Sequence, residues 1–176
     1  IFGVASKRSC TLELFYGIDY HSHLGTRRGG MAVCGERGFQ RAIHNIENSP
    51  FRTKFEHILE KMHGCAGIGC ISDTDPQPLL IRSTLGKYAI CTIGIINNAQ
   101  ALADQYLSFS GGHFVAMEGG RVNSTELVAA LINQKSSFAE GIRFAQQKIE
   151  GTASILILRD NGTLLAARDK LGRLPV

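Results

Sequence analysis

"GTASILILRDNGTLLAARDKLGRLPV", residues 151–176, closes the chain and decides how the rest is read. "TASILILR" is a run of apolar and β-branched residues, "DNG" has the composition of a hairpin turn, and "TLLAARD" is a second strand-like run. Asn-Gly between two such runs is a strong two-residue hairpin signal, because the favoured tight turn needs positive φ at both central residues. The chain therefore ends in an antiparallel pair.

Working back from that hairpin, Ser137 with Glu140 and Asn123 with Glu126 fit the pattern that caps a helix, each leading into apolar spacing over "IRFAQQKI" and "LVAALI". "NNAQALADQYL" reads as a short helix before them. "AGIGCIS", "PLLIRS" and "KYAICTIGII" are three β-rich runs separated by "DTDPQ" and "TLG", which have turn composition. "NSPFRTKFEHILEKM" predicts a helix with Ser49 as N-cap, Pro50 at the first position, and Phe51, Phe55, Leu59 and Met62 on one face. "GGMAVCG" and "FQRAIHNI" predict two strands around the turn at residues 36–38. At the start, "IFGVAS" predicts a buried strand over residues 1–6, and Ser9 or Thr11 is expected to cap a helix carrying Leu12, Phe15, Tyr16 and Ile18.

Strands gather in the first half and at the end, with two consecutive helices between them. That order differs from the strand–helix alternation of a parallel sheet, so the expected class is α+β: antiparallel sheets covered by helices. The 176 residues suffice for one domain with a sizeable core, and the apolar and charged fractions, 44% and 19%, are those of an ordinary globular protein. The net charge of +4 is spread along the chain with no block longer than a pair, which speaks against a nucleic-acid footprint. No apolar run approaches the roughly 20 residues that span a bilayer, so no membrane partner is expected. Five cysteines form an odd set without a pairing pattern, and the start carries no signal peptide, so a cytoplasmic setting is expected. Both ends fall inside strand-like or turn-like sequence, and the chain is expected to be a piece of a larger protein.

The residues that carry chemistry are few. His21 and His23, with Asp19 nearby, lack a third and fourth ligand at clear spacing, and Cys65 and Cys70 lack a matching pair, so no metal is expected. "GCAGIG" has its glycines in the wrong order for a dinucleotide fingerprint and leads into a strand, so no nucleotide cofactor is expected either. "TRRGG" offers two guanidinium groups and backbone donors to an anion, though taken alone a surface turn explains it better. No Gly-x-Ser-x-Gly elbow is present.

The order of motifs says more. "IFGVAS", "ELFYGIDYHSHLGTRRGGMAV", "AGIGCISDTD" followed by "QPLL", "YAICTIGIINNAQAL", "NSTELVAALI" and "GTASILILRDNGTLLAARDKLGRLPV" together resemble the glutaminase domain of the amidophosphoribosyltransferases, which are class II glutamine amidotransferases. The resemblance spans nearly all of residues 1–176. It implies the N-terminal-nucleophile hydrolase fold, four layers αββα with antiparallel sheets sandwiched by helices. It also implies a following phosphoribosyltransferase-like domain, a homo-oligomer, and a family role in supplying glutamine-derived ammonia for phosphoribosylamine formation in purine biosynthesis.

The family's nucleophile is an N-terminal cysteine whose own α-amino group acts as base. This chain begins with Ile1, which has no nucleophilic side chain, so no catalytic residue is assigned and whether the chain is an enzyme turns on what precedes it. Where the family clamps the glutamine α-carboxylate with an arginine, the resemblance places Ser72, with Asp73 beside it. Where the family reads His-Asn-Gly-Asn and builds an oxyanion hole, this chain reads Thr92-Ile93-Gly94-Ile95. Only Gly94 matches, and loss of one such donor typically costs on the order of 10²–10³ in rate. Where the family has an aspartate for the α-amino group, Ser124 stands. "HLGTRRGG" corresponds to the family's His-Arg-Gly-Gln loop and is expected to be a rebuilt pocket rim.

The substrate-side positions implied are thus Arg27, Arg28, Gly29, Asp73, Gly94 and Ser124. The expected function is a glutaminase-like domain that is inactive or impaired, binds glutamine or a related small molecule weakly at most, and acts in structure or regulation. Two alternatives stand beside it: an active amidotransferase whose cysteine precedes Ile1, and a binding module unrelated to amides.

Overall fold

The structure, a computed structural model, describes residues 1–25 and 27–172. Two four-stranded antiparallel sheets face each other. The first has the order β1-β4-β2-β3, with β1 Phe2–Ala5, β2 Arg28–Gly35, β3 Gly38–Asn45 and β4 Ala66–Ser72. The second has the order β10-β9-β6-β5, with β5 Leu79–Ser83, β6 Gly86–Ile96, β9 Gly151–Arg159 and β10 Leu164–Ala167. Helices α1 (Thr11–Tyr20) and α2 (Phe51–Phe55) cover the outer face of the first sheet. Helices α3 (Ala99–Ser110), α4 (Ser124–Ile132) and α5 (Phe138–Lys148) cover the second. A small hairpin, β7 (Met117–Glu118) with β8 (Arg121–Val122), joins α3 to α4.

Period-two alternation builds these layers directly. Along β6, Tyr88 and Ile90 turn to the helices, whereas Ala89 and Cys91 turn to the other sheet. Along β9, Ile155 and Ile157 do the first and Leu156 and Leu158 the second. The layer between the sheets is made largely of small side chains, Ala32, Cys34, Ala66, Cys70, Ala89 and Cys91, filled out by Ile68, Leu156 and Leu158. On the far side, Leu14, Phe15 and Ile18 of α1 pack with Met31, Val33, Phe51 and Phe55.

Three expectations are corrected, and the helix expected in "NNAQALADQYL" forms. Neither Ser9 nor Thr11 caps α1. Cys10 holds the N-cap position without a side-chain bond, and Thr11 is buried in the first turn with its hydroxyl donating to the Met62 carbonyl at 2.9 Å. The helix predicted from Pro50 is five residues long and passes into a 3₁₀ segment, Glu56–Lys61, and Pro50 itself is the N-cap residue. Phe51, Phe55 and Met62 are buried as expected, but Glu56, His57, Glu60 and Lys61 are exposed, so little packing holds the second half in α geometry. The short helix after Asn98 is a full twelve residues and ends on Gly111 in the left-handed conformation. The closing hairpin forms, but through a three-residue loop: the N–H of Arg159 donates to the Thr163 carbonyl at 2.9 Å, and Gly162 takes φ +81°. Residues 173–176 of the closing stretch lie outside the described residues.

One loop fixes the working end of the sandwich. Between β4 and β5 the segment 73–78 lies flat against β2, through a cis Gln77–Pro78 peptide. A Cβ on Gly30 would stand 1.8 Å from the Gln77 carbonyl oxygen, so only glycine allows this approach.

Two measurements follow from this packing. Ile155→Ala and Leu156→Ala should each cost about 3 kcal/mol in equilibrium denaturation although their side chains face opposite layers, while Thr163→Ala, exposed in the turn, changes stability by less than about 0.5 kcal/mol. Gly30→Ala forces main chain against main chain and should cost about 3 kcal/mol or more in the same experiment.

Candidate functional site

A cavity of about 200 Å³ opens where the C-terminal end of β4 and the later part of β6 approach the N-terminus of α4. Its wall is built from the inside outward. Gln77 is buried, and its side-chain amide bonds the backbone of Thr92 in both directions: the Thr92 N–H donates to Oε1 at 2.8 Å, and Nε2 donates to the Thr92 carbonyl at 3.0 Å. The Thr125 hydroxyl donates to the same Oε1 at 3.0 Å, and the hydroxyls of Thr92 and Thr125 lie 2.6 Å apart. Every member of this network is buried and partnered, the condition under which a polar cluster stabilises a core.

Asn123 anchors the next layer. Its Oδ1 accepts the N–H groups of Thr125 at 2.8 Å and Glu126 at 3.1 Å, the N-cap expected for α4, and its Nδ2 donates to the Pro76 carbonyl at 3.1 Å. Asp75 Oδ2 accepts the Ser124 N–H at 2.8 Å, so a carboxylate of the 73–78 loop sits at the positive end of the helix. Glu126 does not close the reciprocal capping box. It accepts the N–H groups of Val115 and Ala116, at 2.9 and 2.7 Å, and ties the segment before β7 to α4. At α5 the Ser137 hydroxyl accepts the Glu140 N–H at 3.3 Å, and the Ser136 hydroxyl donates to Glu140 at 2.7 Å. The hydroxyls of Ser136, first, and Ser137 hold the Glu140 carboxyl below its ordinary value by bonding to its charged form.

Of the six substrate-side positions expected from the sequence, Asp73, Gly94 and Ser124 line the cavity together with Ser72 and Ile93. Arg27, Arg28 and Gly29 are not among the described residues that line it. Arg27 is exposed and pairs with Glu47 at 3.6 Å. Arg28 opens β2 opposite Asn45 and Ser72, and Gly29 faces α2, where a Cβ would meet the Phe51 ring at 2.6 Å. The reason is the strand: β2 starts at Arg28, and its alternation turns Gly29 toward the helices. The rim loop reaches the cavity through Gly25 instead, and Thr26 lies outside the described residues. His21 spends its Nδ1 on the Gly17 carbonyl at 2.8 Å, and Asp19 pairs with Arg52 at 2.6 Å, so neither turns toward His23.

Reading the sequence missed Gln77, Asp75 and Thr125. "DTDPQ" looked like a plain turn, and only the two prolines flanking Gln77 mark a constrained polar residue. What results is a pocket walled by hydroxyls and two carboxylates, with Ile93 and, beyond it, Ile95 exposed along its edge. No cationic side chain is among the described lining residues.

Residues 65–176, more than half of the chain, match the family described as the glutamine amidotransferase domain. No curated protein sequence matches the chain. Among solved structures, glutamine phosphoribosylpyrophosphate amidotransferase from B. subtilis, complexed with ADP and GMP, superposes with a TM-score of 0.80 at 22% identity, over 97% of this chain and 37% of that one. A structure described as the allosteric regulatory enzyme of purine biosynthesis superposes with a TM-score of 0.78 at 22% identity, over 94% of this chain and 36% of that one. At that identity the likeness establishes the fold, and the chain spans little more than a third of either relative. The chain belongs to the glutamine amidotransferase domain family, on the four-layer αββα fold of the N-terminal-nucleophile hydrolases.

Proposed function

We propose that this chain is the glutaminase-like domain of an amidophosphoribosyltransferase homologue, inactive or impaired in glutamine hydrolysis, and that it serves a larger cytoplasmic protein in structure or regulation. Residues 1–176 are then one domain, followed by a phosphoribosyltransferase-like domain within a homo-oligomer. Among the described residues no helix is long and apolar enough to cross a membrane.

The observation that carries the proposal is the charge of the cavity. Glutamine brings an α-carboxylate, an α-ammonium and a neutral amide. The carboxylate finds no guanidinium or ammonium among the described lining residues, and Asp73 and Asp75 stand there instead. The α4 N-terminus, a natural seat for a carboxylate, already holds Asp75. At the acyl-transfer end, Ile93 offers no side-chain donor to a developing oxyanion, leaving main chain around Gly94 as the remaining candidate.

A specific register keeps the active alternative in view. Phe2 pairs with Gly69 in the antiparallel β1–β4 ladder, so a residue preceding Ile1 would run toward Ile71 and Ser72, both of which line the cavity. A cysteine there would have its thiol and amine at the site.

Two experiments separate these readings. Ammonia release from glutamine by the intact protein with its encoded N-terminus should stay at background, with a Cys-initiated relative as positive control; release well above background overturns the proposal. Glutamine titrated calorimetrically into the intact protein should bind weakly at most, and Ser72→Arg combined with Ser124→Asp should gain roughly 10–100-fold in affinity from the two restored charge-assisted contacts. No gain in the double variant would mean that these positions do not face the ligand.

A further inference from the structure

A second chemistry-bearing pair lies at the other end of β4. Cys10 precedes α1 and is fully buried, while Cys65 precedes β4 and is exposed. Main-chain hydrogen bonds lace the two segments together: the Cys10 N–H donates to the Gly64 carbonyl at 2.8 Å, and the Ser6 N–H donates to the Cys65 carbonyl at 2.8 Å. The Gly64 carbonyl oxygen and the Cys65 Cα share one planar trans peptide unit, which keeps the Cα–Cα separation of Cys10 and Cys65 below about 7 Å. Disulfides span roughly 4.4–6.8 Å between Cα atoms.

The Cys10 thiol also senses Cys65. Burial pushes the Cys10 thiol up to about 11, and the next largest cause is negative charge on Cys65, ahead of Glu13. Cys34 is the nearest competitor, since its carbonyl accepts the Cys65 N–H at 3.2 Å. Its Sγ, however, donates to the Asp160 carbonyl at 3.3 Å and packs between the sheets. Cys65 further lines an open groove of about 840 Å³ that carries Arg37, Arg41, Lys61 and His63 against one carboxylate, Glu36. A reagent that reaches Cys65 through this groove meets a cationic wall.

We propose that Cys10 and Cys65 form a thiol pair that a small anionic disulfide oxidises. In the first step the Cys65 thiolate attacks one sulfur of the reagent disulfide. The reagent's S–S bond breaks, a Cys65 mixed disulfide forms, and the leaving thiolate takes up the proton that Cys65 released. In the second, Cys10 gives up its proton and its thiolate attacks the Cys65 Sγ. The mixed disulfide breaks, the Cys10–Cys65 bond forms, and the second reagent thiolate takes that proton. Two protein thiols are oxidised and one disulfide is reduced to two thiols. The second step is the slow one, because the buried Cys10 thiol holds its proton and must reach Cys65 by local opening. The product staples the start of α1 to the start of β4 and closes a long loop, which narrows the unfolded ensemble.

The test treats the intact protein with glutathione disulfide, blocks remaining thiols, and follows mass and peptide maps over time. The expected course is a transient glutathione adduct on Cys65, then loss of two hydrogens with a cross-link between the peptides that carry Cys10 and Cys65. The thermal midpoint should rise by several degrees and fall back on reduction. Cys65→Ser, at an exposed position where folding is not at risk, should prevent both adduct and cross-link, and Cys10→Ser should stop at the adduct. Adduct formation with the uncharged hydroxyethyl disulfide should be about tenfold slower. A stable Cys65 adduct with Cys10 left free, a cross-link from Cys65 to Cys34 or to another chain, or equal rates with the two reagents would each overturn the proposal.

Discussion

The paired hydrogen bonds between the Gln77 side chain and the backbone of Thr92 hold the end of the sandwich that faces the cavity. Beyond the ladder of β5 and β6, a side-chain amide supplies the bonds that another strand would have made, and it does so from a loop that crosses the inner face of β2. The bond from Thr125 to the same oxygen adds α4 to the clamp, and the Asn123 amide reaches back to the Pro76 carbonyl. Removing the amide would strand buried donors and acceptors on two elements at once, β6 and α4, each at the desolvation cost of an unpaired polar group. The cavity therefore has a rigid wall without depending on any ligand.

That wall also sets the electrostatics. A helix N-terminus attracts anions, and in this fold α4 delivers one to the cavity's edge. Here the loop supplies its own: Asp75 takes the Ser124 N–H, and the helix's positive end is neutralised from within. Asp73, Ile93 and several hydroxyls share the lining with it.

Much of the fold is legible in the amino-acid sequence because alternation along β6 and β9 is strict, and because Asn123 and Ser137 announce their helices through caps that the structure contains. The four-layer arrangement came from the resemblance and is matched by the fold. Less legible were features set by distant partners. "EHILEK" carries helix-forming residues yet takes 3₁₀ geometry, with Ile58 and Leu59 packed on the core and its four charged or polar side chains exposed. Gly29 is another case: nothing local shows that the alternation of β2 turns it to Phe51, and Arg27 beside it pairs with Glu47. Gln77 carries no local signal of its role, since its partners Thr92 and Thr125 lie 15 and 48 residues away.

Scaffold and chemistry interleave in this chain residue by residue, and that explains how one can persist while the other changes. Thr92 is buried and holds Gln77, while Ile93, its neighbour, is 39% exposed at the cavity. Asn123 is buried and caps α4, whereas Ser124 is only partly buried and lines the pocket. Strand alternation separates the first pair and the helix start separates the second. A substitution at the cavity-facing member leaves its buried neighbour's hydrogen bonds intact, so the cost to folding is small and the cost to ligand chemistry can be complete. Ile93 and Ser124 are thus free to vary at the cavity while Thr92 and Asn123 beside them hold the fold.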